Sequence, residues 1–105
     1  MPDVSRFSVY GRMTAQPGQR DALIERFKDV LRIGISGLES CSINAVLDDP
    51  DTIWVTQIWT DKVAHDTGTR SDIVVSATER VLSLLAEPPV GSYGQVAYLH
   101  DGGTA

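Results

Sequence analysis

The fold turns on residues 40–61, SCSINAVLDDPDTIWVTQIWTD. Small or apolar residues alternate with polar ones on either side of Asp48-Asp49-Pro50-Asp51-Thr52, a run rich in turn formers. The pattern predicts two strands, about 41–48 and 53–60, folded back on each other as a hairpin. Successive side chains of a strand point to opposite faces of its sheet. Val55, Gln57 and Trp59 therefore share one face, while Trp54, Thr56 and Ile58 share the other. The chain has two tryptophans, and their odd separation sends them to opposite sides. In the first strand of the pair, Cys41, Ile43, Ala45 and Leu47 read as the buried set. Ser42, Asn44, Val46 and Asp48 mix both characters.

The flanking segments fit a sheet with helices laid against it. Residues 6–15, RFSVYGRMTA, alternate with Phe7, Val9, Gly11 and Met13 on one parity and Ser8, Tyr10 and Arg12 on the other, which predicts a strand. Gln16-Pro17-Gly18 turns the chain. Residues 19–34 then place Leu23, Ile24, Phe27, Val30 and Leu31 on one stripe of a 3.6-residue period, an amphipathic helix that Gly34 or Gly37 can end. After Trp59, TDKVAHDTG suits a short helix or a loop. Ser71-Asp72 can cap a further helix to about Leu85, with Ile73, Val74, Ala77, Val81, Leu84 and Leu85 as its apolar face and Pro88-Pro89 stopping it. Residues 92–100, SYGQVAYLH, read as a last strand, and 101–105 as a flexible tail. The order β-α-β-β-α-β predicts an α+β, ferredoxin-like protomer: a four-stranded antiparallel sheet with helices on one face, in a single domain with its core at about 6–100.

Composition narrows the function classes. A chain of 105 residues carrying a net charge of −5 lacks the clustered positive charge that binding to nucleic acid or an anionic membrane requires. One cysteine, Cys41, and two histidines, at 65 and 100, have no metal-ligand spacing, so no metal is expected. No apolar run is long enough to span a membrane, and MPDVSRFSVYG lacks the basic and apolar segments of a secretory signal; a cytoplasmic protein is expected.

The sheet face without helices would carry Tyr10, Trp54, Thr56, Ile58, Val96 and Tyr98. Such a surface is too apolar to leave in water, and a second copy is its simplest cover. A homodimer packed sheet to sheet is expected, with Trp54, Ile58, Tyr10 and Tyr98 at the interface.

GRMTAQPGQRDALIERF (11–27), followed by LDDPDTIWVTQIWTDKVAHD (47–66), resembles the antibiotic biosynthesis monooxygenase family, also called quinol monooxygenase-like. The resemblance rests on a strand leading into PGQ and an amphipathic helix, a Cys opening the second strand, a D-x-P-D hairpin, and a strand-end Trp followed by AH. It spans about residues 6–100 and implies a dimeric α/β barrel. In its enzymatic members it implies oxygenation of phenols, anthrones or quinols by O₂ without metal or flavin, the deprotonated substrate itself acting as reductant. The implied ligand is a small aromatic molecule and the implied cofactor is none. A non-catalytic barrel that binds such a metabolite, or serves as a pathway accessory, is the alternative.

The resemblance makes Trp59 a wall of the substrate pocket. Gln57, on the same face, is a candidate to hold a substrate oxygen; Asn44 and Tyr93 are further candidate contacts. His65, whose ordinary pKa suits a general base, is the candidate catalytic residue. The heme-degrading branch of the superfamily uses a first-strand Asn and a helical His, which align here with Gly11 and Thr78, so heme loses its iron ligand. Where many members carry a second His after the AH pair, this chain has Gly68.

Overall fold

The computed structural model describes residues 6–100 and 102. The chain runs β1 (Phe7–Thr14), α1 (Arg20–Arg32), β2 (Leu38–Ala45), β3 (Thr52–Trp59), α2 (Lys62–Thr69), α3 (Asp72–Leu82) and β4 (Val90–Gln95). The strands form one antiparallel sheet in the order β2-β3-β1-β4. This is the expected ferredoxin-like arrangement with a third helix added, because TDKVAHDTG forms α2. The Asp61 carboxylate caps that helix by accepting from the Ala64 backbone N–H at 2.8 Å, a side-chain cap of the kind that stabilises a short helix.

The core lies between the helices and one sheet face. Leu23, Phe27 and Val30 of α1 and Val74, Ala77 and Val81 of α3 meet Ile53 and Val55 of β3 there. The α1 stripe is the one its periodicity predicts, and Gly34 follows the helix with a φ of 78°, a left-handed conformation suited to glycine. Ile73, by contrast, is exposed on α3. Its neighbour Val74 starts the buried 74-77-81 series, and the helix cannot bury both flanks.

Several boundaries shift for identifiable reasons. α3 stops at Leu82, and Ala86 then donates its backbone N–H to Thr14 O, so the segment expected to finish the helix extends the end of β1. β4 occupies 90–95 instead of 92–100. Arg12 still pairs with Val90, and at the other end Phe7 pairs with Gln95, so the ladder closes with Val96 N–H to Arg6 O where β1 begins. Val96, Ala97, Tyr98 and Leu99 therefore leave the sheet. β2 starts earlier than expected, at Leu38, with an irregularity between Leu38 and Ser40. It ends at Ala45, which puts Leu47 in the loop, fully exposed rather than buried.

That loop is internally braced. Asp49 accepts from the Asp51 N–H at 3.0 Å and from the Thr52 hydroxyl at 2.7 Å. These bonds hold its carboxyl below the usual carboxylate range. Arg20 of α1 donates to the Val46 and Asp49 carbonyls at 3.0 and 2.9 Å, tying helix to hairpin. No helix among the described residues is long and apolar enough to cross a membrane. The flexible tail expected at 101–105 lies, Gly102 apart, outside the described residues.

Candidate active site

The strand registers place the candidate residues in rows across the sheet. On the helix side one row runs Cys41, Gln57, Val9, Tyr93 through β2, β3, β1 and β4, and the next joins Trp59, Phe7 and Gln95. Opposite residues of antiparallel strands are close neighbours. Gln57, Trp59 and Tyr93 are thus brought together by pairing that their positions in the sequence do not reveal.

Asn44 is not among them. It pairs with Trp54 on the opposite face, in the row Asn44, Trp54, Arg12, Val90, and its amide donates to Ser42 Oγ and to the Trp54 carbonyl, both at 3.1 Å. Cys41, Ile43 and Ala45 take the parity facing the helices, so Asn44 takes the other. The structure separates it from the other candidate contacts by the thickness of the sheet.

A cavity of about 400 Å³ opens between the sheet and α1, lined by Val9, Met13, Phe27, Val55, Gln57 and Tyr93 among others. Its wall is largely apolar, and Gly11, in the middle of β1, contributes bare backbone. Trp59 does not line it. The indole, 1% exposed, lies behind Gln57 and donates its Nε1–H to Gln57 Oε1 at 3.0 Å. Cys41 sits on the other side of Gln57. Burial pushes its thiol pKa up, and a hydrogen bond from Gln57 pulls the other way, so the group stays a thiol at neutral pH.

His65, on α2, packs into an aromatic cluster at the edge of this site. Its ring lies 5.0 Å from Phe7, 5.1 Å from Trp59 and 5.6 Å from Tyr93, centroid to centroid, and Tyr93 stacks on Phe7 at 5.4 Å. Nδ1 is 3.0 Å from Asp66 Oδ1, and Asp66 Oδ2 accepts from Lys62 Nζ at 2.6 Å. The bonds from Lys62, then His65, hold the Asp66 carboxyl below its usual range. An ionised carboxylate only accepts, so Nδ1 is the protonated ring nitrogen and Nε2 is the basic one. Asp66 was not a candidate on sequence; its position beside His65 on a helix is the signal that points to it. His65 stands one ring behind the cavity wall, with Tyr93 between.

Gly68 owes its identity to packing. A Cβ at this position would lie 2.6 Å from Ile35 Cγ2, closer than a side chain allows, and 3.4 Å from Trp59 Cζ3, an ordinary contact, so it is Ile35 that α2 crowds here. Restoring an imidazole with Gly68→His is expected to overpack this contact and cost about 1–3 kcal/mol. Urea denaturation tests it, and an unchanged or raised midpoint would refute the steric account.

The fold and site define a ferredoxin-like α+β domain with an apolar cavity between sheet and helices and one amide at its wall. Residues 6–80 match the antibiotic biosynthesis monooxygenase family, and the chain belongs to it. A Chloroflexus aurantiacus protein provisionally named an antibiotic biosynthesis monooxygenase superposes with a TM-score of 0.81 at 27% identity, over 92% of this chain and 98% of that one. Two more distant likenesses concern the fold alone. SnoaB, a cofactor-independent oxygenase from Streptomyces nogalater, gives a TM-score of 0.81 at 11% identity, covering 90% of this chain and 96% of its own. Rv0793 from Mycobacterium tuberculosis gives 0.75 at 19% identity, covering 93% and 99%. No curated protein matches the chain.

Proposed function

We propose that the protein is a cofactor-independent monooxygenase that oxidises a phenolic, anthrone or quinol substrate with O₂. The observation that carries this reading is the placement of a single oriented amide, Gln57, at the wall of a largely apolar cavity of about 400 Å³. Family membership supports it, as does a fold shared with SnoaB, itself a cofactor-independent oxygenase. In this reading the cavity binds the ring system, Gln57 and Tyr93 hold its oxygen, and His65 Nε2 receives the proton once the Tyr93 ring between them swings aside. The ionised substrate then reduces O₂. For an anthrone, the CH₂ carbon becomes a carbonyl with one oxygen of O₂, and the other oxygen leaves as water.

Oxygen uptake by purified, metal-free protein against a panel of anthrones and hydroquinones tests the proposal. Turnover is expected, and Gln57→Leu should reduce it about 10²-fold, the usual effect of removing one hydrogen-bond donor to a developing oxyanion. No uptake across the panel, or uptake that Gln57→Leu leaves unchanged, would overturn it. One observation favours a non-catalytic aromatic-binding protein instead: no carboxylate or imidazole lines the cavity among the described residues. Binding of panel members without oxygen uptake is the result that reading requires.

The functional unit in this proposal is a homodimer. Tyr10 and Trp54 expose 43% and 46% of their surface on the helix-free face of the sheet. Ser8, Tyr10, Thr56 and Ile58 there border a groove of about 530 Å³ together with Val96, Tyr98 and Leu99. Tyr98 has left the sheet but still flanks this face, its hydroxyl 3.2 Å from His100 Nδ1.

A further inference from the structure

An amide has two ends, and the neighbours of Gln57 decide which one meets a ligand. The indole Nε1–H of Trp59 can only donate. It is buried and points at Oε1 from 3.0 Å. Rotating the amide by half a turn would set its NH₂ against that N–H, leaving two donors facing each other away from water, an arrangement that costs more than a single lost bond. Gln57 therefore keeps Oε1 on the indole. With Oε1 held there, the NH₂ is the end of the amide left to meet a ligand in the cavity that Gln57 lines.

We propose that Trp59 is a positioning residue that fixes Gln57 as a donor toward the cavity, so that the site selects its aromatic ligand by an acceptor oxygen, a phenolate or ring carbonyl, over a protonated hydroxyl. The inference rests on the reading that this cavity binds an oxygen-bearing aromatic molecule, and it adds the polarity of that recognition. It assigns Trp59 a task that a pocket wall would not have: the indole acts through the amide, from behind it. A phenolate gains from this arrangement twice, since it offers lone pairs to the amide and brings no hydrogen that must find a buried acceptor. The site would thus favour the deprotonated form that reacts with O₂.

Three tricyclic probes of nearly equal size separate the terms: fluorene carries no oxygen, 9-fluorenone offers only an acceptor, and 9-fluorenol brings a donor as well. Calorimetric titration of the wild-type protein should rank fluorenone about threefold to tenfold tighter than fluorene, the worth of one net hydrogen bond, with fluorenol between them. Gln57→Glu should invert the order of fluorenone and fluorenol, because a carboxylate can still accept from Trp59 but presents only an acceptor to the cavity. Trp59→Phe, which keeps a buried ring but frees the amide to turn, should shrink the preference for the ketone. Should that variant fold poorly, Gln57→Glu carries the test alone, together with the Gln57 side-chain NH₂ resonances, which fluorenone and not fluorene should shift. If none of the three probes binds, the functional reading of the cavity fails and this inference with it. Binding of all three with equal affinity, or an order that Gln57→Glu leaves unchanged, overturns the inference alone.

Discussion

Truncating Trp59 to Ala is expected to cost the protomer about 3–5 kcal/mol, the range for removing a large aromatic side chain from a packed interior. The indole is 1% exposed, meets the His65 ring edge-on at 5.1 Å, and lies against Gly68 of α2. Its removal also strips Gln57 Oε1 of its donor. Domains of this kind hold together by only about 5–15 kcal/mol in all, so the loss should be visible as a large fall in the urea midpoint. Trp59→Phe keeps most of the ring and should cost less. A Trp59→Ala protein destabilised by under about 1 kcal/mol would mean that the indole is not the wedge between β3 and α2 that its burial indicates.

The second large effect is expected on the opposite face of the same strand. Trp54→Asp should weaken self-association at least about 100-fold while leaving the protomer folded, because it removes the proposed aromatic anchor and puts a carboxylate, which must be desolvated even beside Arg12, at the centre of the contact. Trp54 is half-exposed in the protomer, and its neighbours across the strands are Asn44 and Arg12, so its replacement touches little of the core. Sedimentation velocity on the two proteins at micromolar concentration, with circular dichroism as the folding control, separates assembly from stability. A wild-type protein that sediments as a monomer would remove the homodimer from the proposal altogether.

The two tryptophans also mark how far the sequence could be read. Their odd spacing on one strand sent them to opposite faces, and the structure places them so. The helix α1 was equally legible, since its period of 3.6 and a following glycine are local signals. So was the hairpin after Ala45, because Asp49, Pro50 and Asp51 carry their turn chemistry with them. Local pattern reached its limit wherever a partner strand set the answer. Asn44 could not be assigned to a face without the register of β2 on β3. The extent of β4 depends on where β1 begins and ends rather than on the apolar character of Val96 or Tyr98.

The site divides along the same line. Side-chain identity and strand period were enough to put Gln57 and Trp59 on one face, because a strand's alternation is fixed by backbone geometry. Which of the two lines the cavity, that Trp59 stands behind Gln57 and orients it, that Tyr93 closes a row begun at Cys41, and that Gly68 yields its space to Ile35 are consequences of four strands and two helices meeting. Those contacts join residues up to 52 positions apart, as Cys41 and Tyr93 are at the two ends of their row. Pairing register and packing volume fix them, and both are properties of the assembled chain.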